Sequence, residues 1–420
     1  MIKPLSTFVR FLLVLILFAA LFSYAMFQGG FVSWFLFFGF LPIIVYSIAM
    51  IFYPMNLMSV ERSVSRKLLE AGQTVMVELR INRRIPFPIL FLVIEDRLPD
   101  SINWHDTRQR KYKFLRSPHM LKNREANKTV LFPLFRSKIV YTYEIDAVPR
   151  GRHILNEIKV VTGDFLGLVK KEKVFNVHTD LVAQPRELPL KIKNEISFFE
   201  EGEQTAYSLQ ANKTNVVSGI REYAPGDNVS WIDWKATAKK QKLFTKEFEQ
   251  EKHKDLSIIF NMVKGREEDW LAFEASIEIA LSLANQSMKD HGKAFVVGLG
   301  NRRKSITLSS RRQNDQLIRF LSEIKLVNEG TFSSMLLKEG RSLSKDQNLI
   351  VITHQLDRHI AKACHQLNNQ DIKMSVVFIR SKYLLSASER QYIDQLSHGG
   401  IFVTWLNEDQ LFGNQIEVNA

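Results

Sequence analysis

The feature that most constrains this chain is a long stretch without charge near its start. Between Arg10 and Glu61 the sequence contains no Asp, Glu, Lys or Arg. Two apolar runs fill this interval, roughly residues 8–27 and 31–53, and each is near the ~20 residues that a helix needs to cross a bilayer. The sequence therefore predicts a transmembrane helical hairpin over residues 1–58.

Basic residues flank this hairpin on both sides, whereas the turn between its helices is uncharged. Lys3 and Arg10 lie at the first flank, and Arg62, Arg66 and Lys67 follow the second helix. Because cytoplasmic loops carry an excess of Lys and Arg, we expect a multi-pass protein of the cell membrane with both termini in the cytoplasm. A cleavable signal peptide is the alternative, which the lack of an A-x-A-like site and the second apolar run disfavour.

Composition limits the classes of protein and of partner that fit this chain. The 420 residues carry a net charge of +13 and a single cysteine, Cys364. A lone cysteine excludes a disulfide scaffold, and the positive charge suggests nucleic acid or an anionic membrane as a partner. Since no helix-turn-helix, zinc or single-strand-binding signature accompanies the charge, we expect an anionic lipid surface and no nucleic acid.

Two different periodicities follow the hairpin. Residues 59–185 contain short runs of β-branched and aromatic residues, which predict an all-β, sandwich-like domain. Residues 254–420 alternate apolar strand-like runs with helical patterns, which predicts a C-terminal α/β domain with a parallel sheet. Between the two, residues 186–253 are expected to form a linker, over 186–215, and a segment rich in unusual residues. The predicted strands are 74–81, 89–95, 129–135, 141–147 and 158–162, then 256–260, 294–299, 349–353, 375–379 and 401–405.

A basic segment interrupts the β domain at residues 101–128. It contains eight Lys and Arg residues against Asp106 and Glu125. Two interpretations stay open: the segment contacts anionic headgroups, or it is a solvated hairpin extension. The basic residues are Arg108, Arg110, Lys111, Lys113, Arg116, Lys122, Arg124 and Lys128.

The densest group of unusual residues lies at 219–249. It contains the turn sequence Pro225-Gly226-Asp227 and a second carboxylate, Asp233. Acid/base catalysis by the two carboxylates would need further pocket groups, and no His is near. The simpler interpretation is a buried Arg221 that pairs with Asp227 or Asp233 while Tyr223 and Trp234 pack beneath it. The candidate partner-binding residues are Arg221, Tyr223, Gly226, Asp227, Asp233, Trp234 and Lys235.

Motifs for cofactors and nucleophiles are missing from the sequence. The ten histidines and Cys364 show no zinc-ligand spacing. No GxxxxGK[ST], no GxGxxG after a strand and no Gly-x-Ser-x-Gly elbow occurs. We therefore expect no cofactor and no enzymatic activity.

The 219–249 segment resembles the signature of a known bacterial family. Gly219-Ile-Arg221-Glu-Tyr223, Gly226-Asp227 and Ile232-Asp233-Trp234, continuing to Ala238, Leu243, Lys246 and Phe248, are similar to the signature of the "domain of unknown function 58" family. Arg150-Gly151 ahead of Asp164-Phe-Leu-Gly167-Leu168 resembles the strand pair that precedes that signature. Two N-terminal helices followed by a β domain are also the family's usual layout.

This resemblance implies that the α/β region is similar to a von Willebrand factor A domain of Rossmann type. That fold binds Mg²⁺ through an Asp-x-Ser-x-Ser loop, a Thr and a later Asp, which are oxygen ligands suited to a hard cation. In this chain the loop has lost its anionic ligands, and only the Thr is kept. The resemblance therefore implies a degenerate site without metal at Asn261, Val263, Gly265, Thr331 and His354.

The resemblance also implies partners. Members of the family are typically encoded beside MoxR-type AAA+ ATPases and often beside membrane transglutaminase-like proteins. We therefore expect a non-enzymatic membrane adaptor that binds a MoxR-type ATPase and its client. Two alternatives stay open: an enzyme of cell-envelope metabolism that uses Asp227, Asp233 or Glu222, and a structural scaffold of the envelope.

Overall fold

The computed structural model describes residues 4–165, 167, 169–193, 217–224, 227–248, 255–289, 292–343, 347–370, 372–413 and 415–419. Its helices are α1 (Pro4–Gln28), α2 (Phe31–Phe52), α3 (Trp234–Lys240), α4 (Asp269–Lys289), α5 (Asn314–Glu323), α6 (Phe332–Gly340), α7 (Arg358–Asn368), α8 (Ala387–His398) and α9 (Glu408–Phe412). Its strands are β1 (Met58–Val64), β2 (Leu68–Glu70), β3 (Val75–Arg83), β4 (Leu92–Arg97), β5 (Asn127–Leu131), β6 (Lys138–Ile145), β7 (Gly151–Gly163), β8 (Lys170–Gln184), β9 (Leu190–Lys193), β10 (Val217–Glu222), β11 (Phe244–Phe248), β12 (Leu256–Asn261), β13 (Ala294–Leu299), β14 (Arg303–Leu308), β15 (Asn348–Thr353), β16 (Met374–Ile379), β17 (Phe402–Leu406) and β18 (Ile416–Asn419).

The two predicted apolar helices are present as α1 and α2. Both are long and apolar enough to cross a membrane, which supports membrane anchoring. Gly29, at a φ of 52°, allows the tight turn between them because glycine takes a positive φ without a steric penalty. The predicted orientation of the hairpin stays a prediction.

Residues 58–184 form a mostly β domain with two sheets. One has the antiparallel order β1-β3-β6, and the other has the order β2-β8-β7-β4-β5, in which β2 runs parallel to β8. Alternate residues of β3 point into a core that both sheets share, as period-2 patterning requires. The pattern predicted only residues 158–162 of the long hairpin that β7 and β8 form, because β8 mixes charged and apolar residues along most of its length.

Residues 256–406 form a six-stranded sheet with helices on its faces. The strand order is β14-β13-β12-β15-β16-β17, and β14 alone of these six strands is antiparallel to its neighbour. The central strands β12 and β16 are buried along their whole length, which is why their sequences are continuously apolar. Helix α4 is buried around most of its circumference, because its residues share a core with the sheet and with the 101–128 segment.

Part of the expected linker is structured. Residues 190–193 form β9, which pairs in parallel with the C-terminal strand β18. Residues 194–215 of the expected linker lie outside the described residues.

The basic 101–128 segment is not a solvated hairpin extension, and its contact with anionic headgroups stays a prediction. The segment folds into short 3-10 helices, including Arg108–Phe114, that pack against α4. Lys111 is buried, and Lys122 lies over the ring of Trp270 at 5.5 Å. The sequence pattern missed this because Trp104, Tyr112, Leu115 and Leu121 supply an apolar face whose partner is helix α4, far away in the chain.

Candidate functional site

The family signature forms a small unit of its own, which we call the signature unit (residues 217–248). Strands β10 and β11 pair as an antiparallel hairpin, and helix α3 lies in the connection between them. A backbone bridge from Ile232 to Thr245 and the side chains of Ile232 and Phe244, both buried, join the connection to the hairpin. The unit therefore has its own small apolar centre.

Arg221 and Asp227 form the predicted ion pair. The two guanidinium nitrogens of Arg221 donate to the two carboxylate oxygens of Asp227 at 2.8 and 2.7 Å, which is bidentate geometry. Asp227 also accepts a hydrogen bond from the backbone N–H of Ala224 at 2.9 Å, so it stabilises the turn. The predicted burial is wrong, because 43% of the Arg221 side chain is exposed.

Asp233 begins helix α3. Its carboxylate accepts hydrogen bonds from the backbone N–H groups of Lys235 and Ala236, both at 3.0 Å, which is N-cap geometry. Glu222, the third candidate acid, pairs with Lys242 at 3.0 Å. Each of the carboxylates considered for catalysis thus has a partner within the unit.

Trp234 does not pack beneath the ion pair. Its side chain is 65% exposed, whereas Ile232 and Phe244 are buried. Tyr223 is half-buried, Lys235 is exposed, and Gly226 lies outside the described residues. Other apolar side chains of the unit that face solvent are Ile220, Val229 and Leu243.

Three residues of the predicted degenerate metal site, Asn261, Val263 and His354, meet at the carboxyl ends of β12 and β15. Successive strands are added on one side of β12 up to β14 and on its other side from β15 onward. The amide of Asn261 donates to Thr353 at 3.3 Å and accepts from the Val263 N–H at 2.8 Å. The His354 ring nitrogen Nε2 lies 3.0 Å from the Val263 carbonyl, and burial lowers the pKa of His354 to about 4, so the ring is neutral. Asn261, Val263 and His354 therefore bind other protein groups.

Two members of that set lie apart from this contact. A Cβ on Gly265 would meet Gln355 and Asp269, and Thr331 occupies the N-cap position of α6 without a side-chain hydrogen bond to the helix. Across the described part of the chain, no group of three or more His, Cys, Asp and Glu is arranged to hold a metal ion.

Sequence reasoning missed a buried charge network between the β domain and α4. The Arg150 guanidinium binds both carboxylate oxygens of Glu274 at 2.8 Å. Lys111 donates to Asp106 at 2.8 Å and to Glu278 at 2.6 Å. Burial alone would lower the pKa of Lys111, but the charges of Asp106 and Glu278 raise it overall. The signal that could have found the network is the pair Glu274 and Glu278, which lie one turn apart among apolar residues in the middle of α4.

A cleft of about 660 Å³ lies beside this network, between the β domain and the α/β domain. Trp104 and Trp270 lie in its lining with their ring centroids 4.8 Å apart. His153, also in the lining, is buried, and that burial lowers its pKa to about 4. The cleft has the size of a small-molecule site, but its lining includes none of the residues that the sequence singled out as candidates for partner binding or for the degenerate metal site.

The fold and these sites define a class of protein with two apolar N-terminal helices, a mostly β domain and an α/β domain. The signature unit precedes the α/β domain in the chain. A family model described as "Protein of unknown function DUF58" matches residues 219–392. The "Uncharacterized protein YeaD" of Bacillus subtilis (strain 168) is 29% identical over 349 residues, which are 83% of each chain. Residues 219–392 are thus a DUF58 region, and the family that the signature predicts is confirmed.

Solved structures resemble the chain only weakly. The CARDB domain of a Pyrococcus furiosus protein, in complex with di-metal ions, covers 30% of this chain and 86% of its own, at 10% identity and a TM-score of 0.18. The PilB minor pilin of Streptococcus sanguinis covers 77% of this chain and 85% of its own, at 8% identity and a TM-score of 0.28.

Proposed function

We propose that this protein is a non-enzymatic membrane adaptor whose signature unit binds a MoxR-type AAA+ ATPase. The partner class comes from the family resemblance. The observation that supports a binding role is the exposed apolar surface of the signature unit, on which Trp234 is the largest side chain. Tryptophan is enriched among the residues that dominate the energy of protein interfaces.

The electrostatics of the unit also favour binding over catalysis. Asp227 and Asp233 stabilise the turn and the start of α3, and Glu222 pairs with Lys242. Lysines lie on and just after α3, the helix that begins at Trp234, and their positive charge would favour an acidic patch on the partner. These lysines are Lys235, Lys239, Lys240 and Lys242.

We further propose that the α/β domain is von Willebrand factor A-like and presents the signature unit without a metal-bridged contact. The strands that follow β12 are added on one side of it and, from β15 onward, on its other side, which supports a doubly wound, Rossmann-type sheet. Sheets of this type bind ligands at the carboxyl ends of the two strands where the direction of strand addition changes, here β12 and β15. In this protein Asn261 and His354, at those ends, form hydrogen bonds with other protein groups. Partner binding would then depend on the signature unit itself.

The experiment is affinity purification of the full chain from detergent, followed by identification of the bound proteins. The wild type should retain a MoxR-type ATPase, and Trp234→Ala should lose it. Phe402→Ala is the matched control, because Phe402 is an exposed aromatic residue on β17. Absence of the ATPase from the wild-type sample, or equal retention by both variants, would contradict the proposal.

A further inference from the structure

One end of the β domain contacts the last turns of α2. The Ser47 hydroxyl donates to the Asp164 carboxylate at 2.7 Å. The Phe87 ring stacks on Tyr46 with centroids 5.5 Å apart and lies 5.2 Å from the Tyr53 ring. The loops that contain Phe87 and Asp164 are therefore fixed beside the helix.

Tyr46 and Ser47 make these contacts before α2 ends at Phe52. Ser47 precedes the last residue of α2, Phe52, by five positions, which is about 7.5 Å of helix. Ser47 and Met50 are both buried. If α2 crosses the membrane over its apolar length, the β-domain loops that cover these residues lie at the level of the lipid interface.

The loop of Asp164 and the neighbouring loop at 131–137 expose aromatic side chains. Phe165, next to Asp164, is 76% exposed, and Phe132 and Phe135 are 71% and 66% exposed. Leu134, between the latter two, pairs through its backbone with Ile89 in the Phe87 loop. Exposed apolar side chains gathered at one end of a domain indicate a membrane or protein contact. We call Phe132, Phe135 and Phe165 the apolar tip.

Arg83 holds two of the loops in place. Its buried guanidinium donates to the carbonyls of Phe87 and Leu134, both at 2.9 Å, and to the carbonyl of Arg136. The loops at 84–90 and 131–137 are thus joined by a single side chain. Phe132 and Phe135 therefore extend from a loop whose backbone is held in place by hydrogen bonds.

The charge of these two loops suits an anionic surface. Arg84, Arg136 and Lys138 are exposed, and the stretches 84–91 and 131–138 contain no Asp or Glu. Basic residues beside a membrane helix are attracted to anionic headgroups, and aromatic residues favour the interface. A protein partner is the competing occupant, but continuity with α2 favours lipid.

We propose that the apolar tip inserts into the lipid interface beside α2, while Arg84, Arg136 and Lys138 contact anionic headgroups. The tip would seat the β domain on the membrane and fix the direction in which the rest of the chain projects. This inference depends on α1 and α2 spanning the bilayer and is independent of the ATPase partner.

The test uses the full chain in lipid discs that contain phosphatidylglycerol and a lipid with a nitroxide on its acyl chain. An environment-sensitive fluorophore is attached to Phe132→Cys, Phe135→Cys or Phe165→Cys, one at a time. The native thiol does not compete, because Cys364 is buried and its burial raises its pKa to about 12. Ile154→Cys, exposed near the opposite end of β7, is the matched control.

The proposal predicts blue-shifted emission and strong nitroxide quenching at positions 132, 135 and 165, with solvent-like emission and weak quenching at 154. Solvent-like emission at 132 and 135 would overturn it. Blue-shifted emission there without nitroxide quenching would instead indicate a protein contact and would also overturn it.

The headgroup contact is tested by the triple variant R84E/R136E/K138E. This variant should weaken quenching at the apolar tip in discs that contain phosphatidylglycerol. Unchanged quenching would remove that part of the proposal.

Discussion

Arg150 and Asp164 lie just outside the two ends of the same strand, β7, and each makes a buried contact with a different part of the protein. Arg150 binds Glu274 of the α/β domain, and Asp164 accepts a hydrogen bond from Ser47 of the apolar helix α2. The 13 residues of β7 span roughly 40 Å. The strand is thus a direct structural connection between the apolar N-terminal helices and the domain that follows the signature unit.

The Arg150 end of this connection should be energetically important. Arg150→Met leaves Glu274 buried without its partner, and breaking a buried ion pair typically costs about 3–5 kcal/mol. We expect a loss of that size in the apparent free energy of unfolding, measured by denaturant titration in detergent. Arg152→Met is the control, because the Arg152–Asp180 pair is largely exposed and should contribute no more than about 1 kcal/mol. Equal effects of the two substitutions would contradict the assignment.

Lys111 should stabilise the same interface in a pH-dependent way. Burial raises the pKa of Glu278 and of Asp106, and Lys111 opposes that rise. Lys111→Met removes the opposing charge, so the folded state must bury carboxylate charge or take up protons. We expect the variant's loss of stability to be larger at pH 7.5 than at pH 5. A loss that does not depend on pH would be inconsistent with this network.

His354 should make the α/β domain sensitive to acid. Its folded-state pKa of about 4 lies below the unfolded value near 6.5. The unfolded state therefore binds the proton first, and His354 lowers stability as the pH falls from about 6.5 to 4, by up to roughly 3 kcal/mol. The difference in unfolding free energy between wild type and His354→Gln should shift by that amount across this range. His178→Gln, at an exposed histidine, should show no comparable shift.

Substitutions of Asp233 distinguish the adaptor hypothesis from the enzyme hypothesis. As an N-cap it should tolerate Asn, whereas Ala should lose about 1 kcal/mol of local stability and weaken capture of the ATPase. A general acid or base would be lost in both variants. The measurement compares ATPase capture and melting temperature for Asp233→Asn and Asp233→Ala. Loss of biological activity in a well-folded Asp233→Asn protein would favour the enzyme.

The sequence predicted local relationships better than distant ones. Arg221 and Asp227 lie in one hairpin, so their pairing could be inferred from neighbouring residues. The strands β12 and β16 could be found because both of their faces are buried and their sequences are therefore apolar. Lys111 could not be placed, because one of its acidic partners, Glu278, is 167 positions away. The exposure of Trp234 also depends on packing that spacing does not reveal.

The degenerate metal site offers a direct negative test. The amide of Asn261 and the neutral ring of His354 bind protein groups, and neither supplies the negative charge that Mg²⁺ favours. We expect no stoichiometric heat of Mg²⁺ or Mn²⁺ binding in calorimetry of the full chain. Tight binding of one ion per chain would require a different arrangement of these loops.

The central claim is that the signature unit contacts a MoxR-type ATPase through the exposed surface around Trp234. Site-specific photo-crosslinking in intact cells tests it most directly, with the photoreactive residue at position 234 and, as the control, at position 402 on β17. We expect an adduct containing the ATPase at position 234 and none at position 402. No ATPase adduct at 234, or adducts of equal yield at both positions, would contradict it.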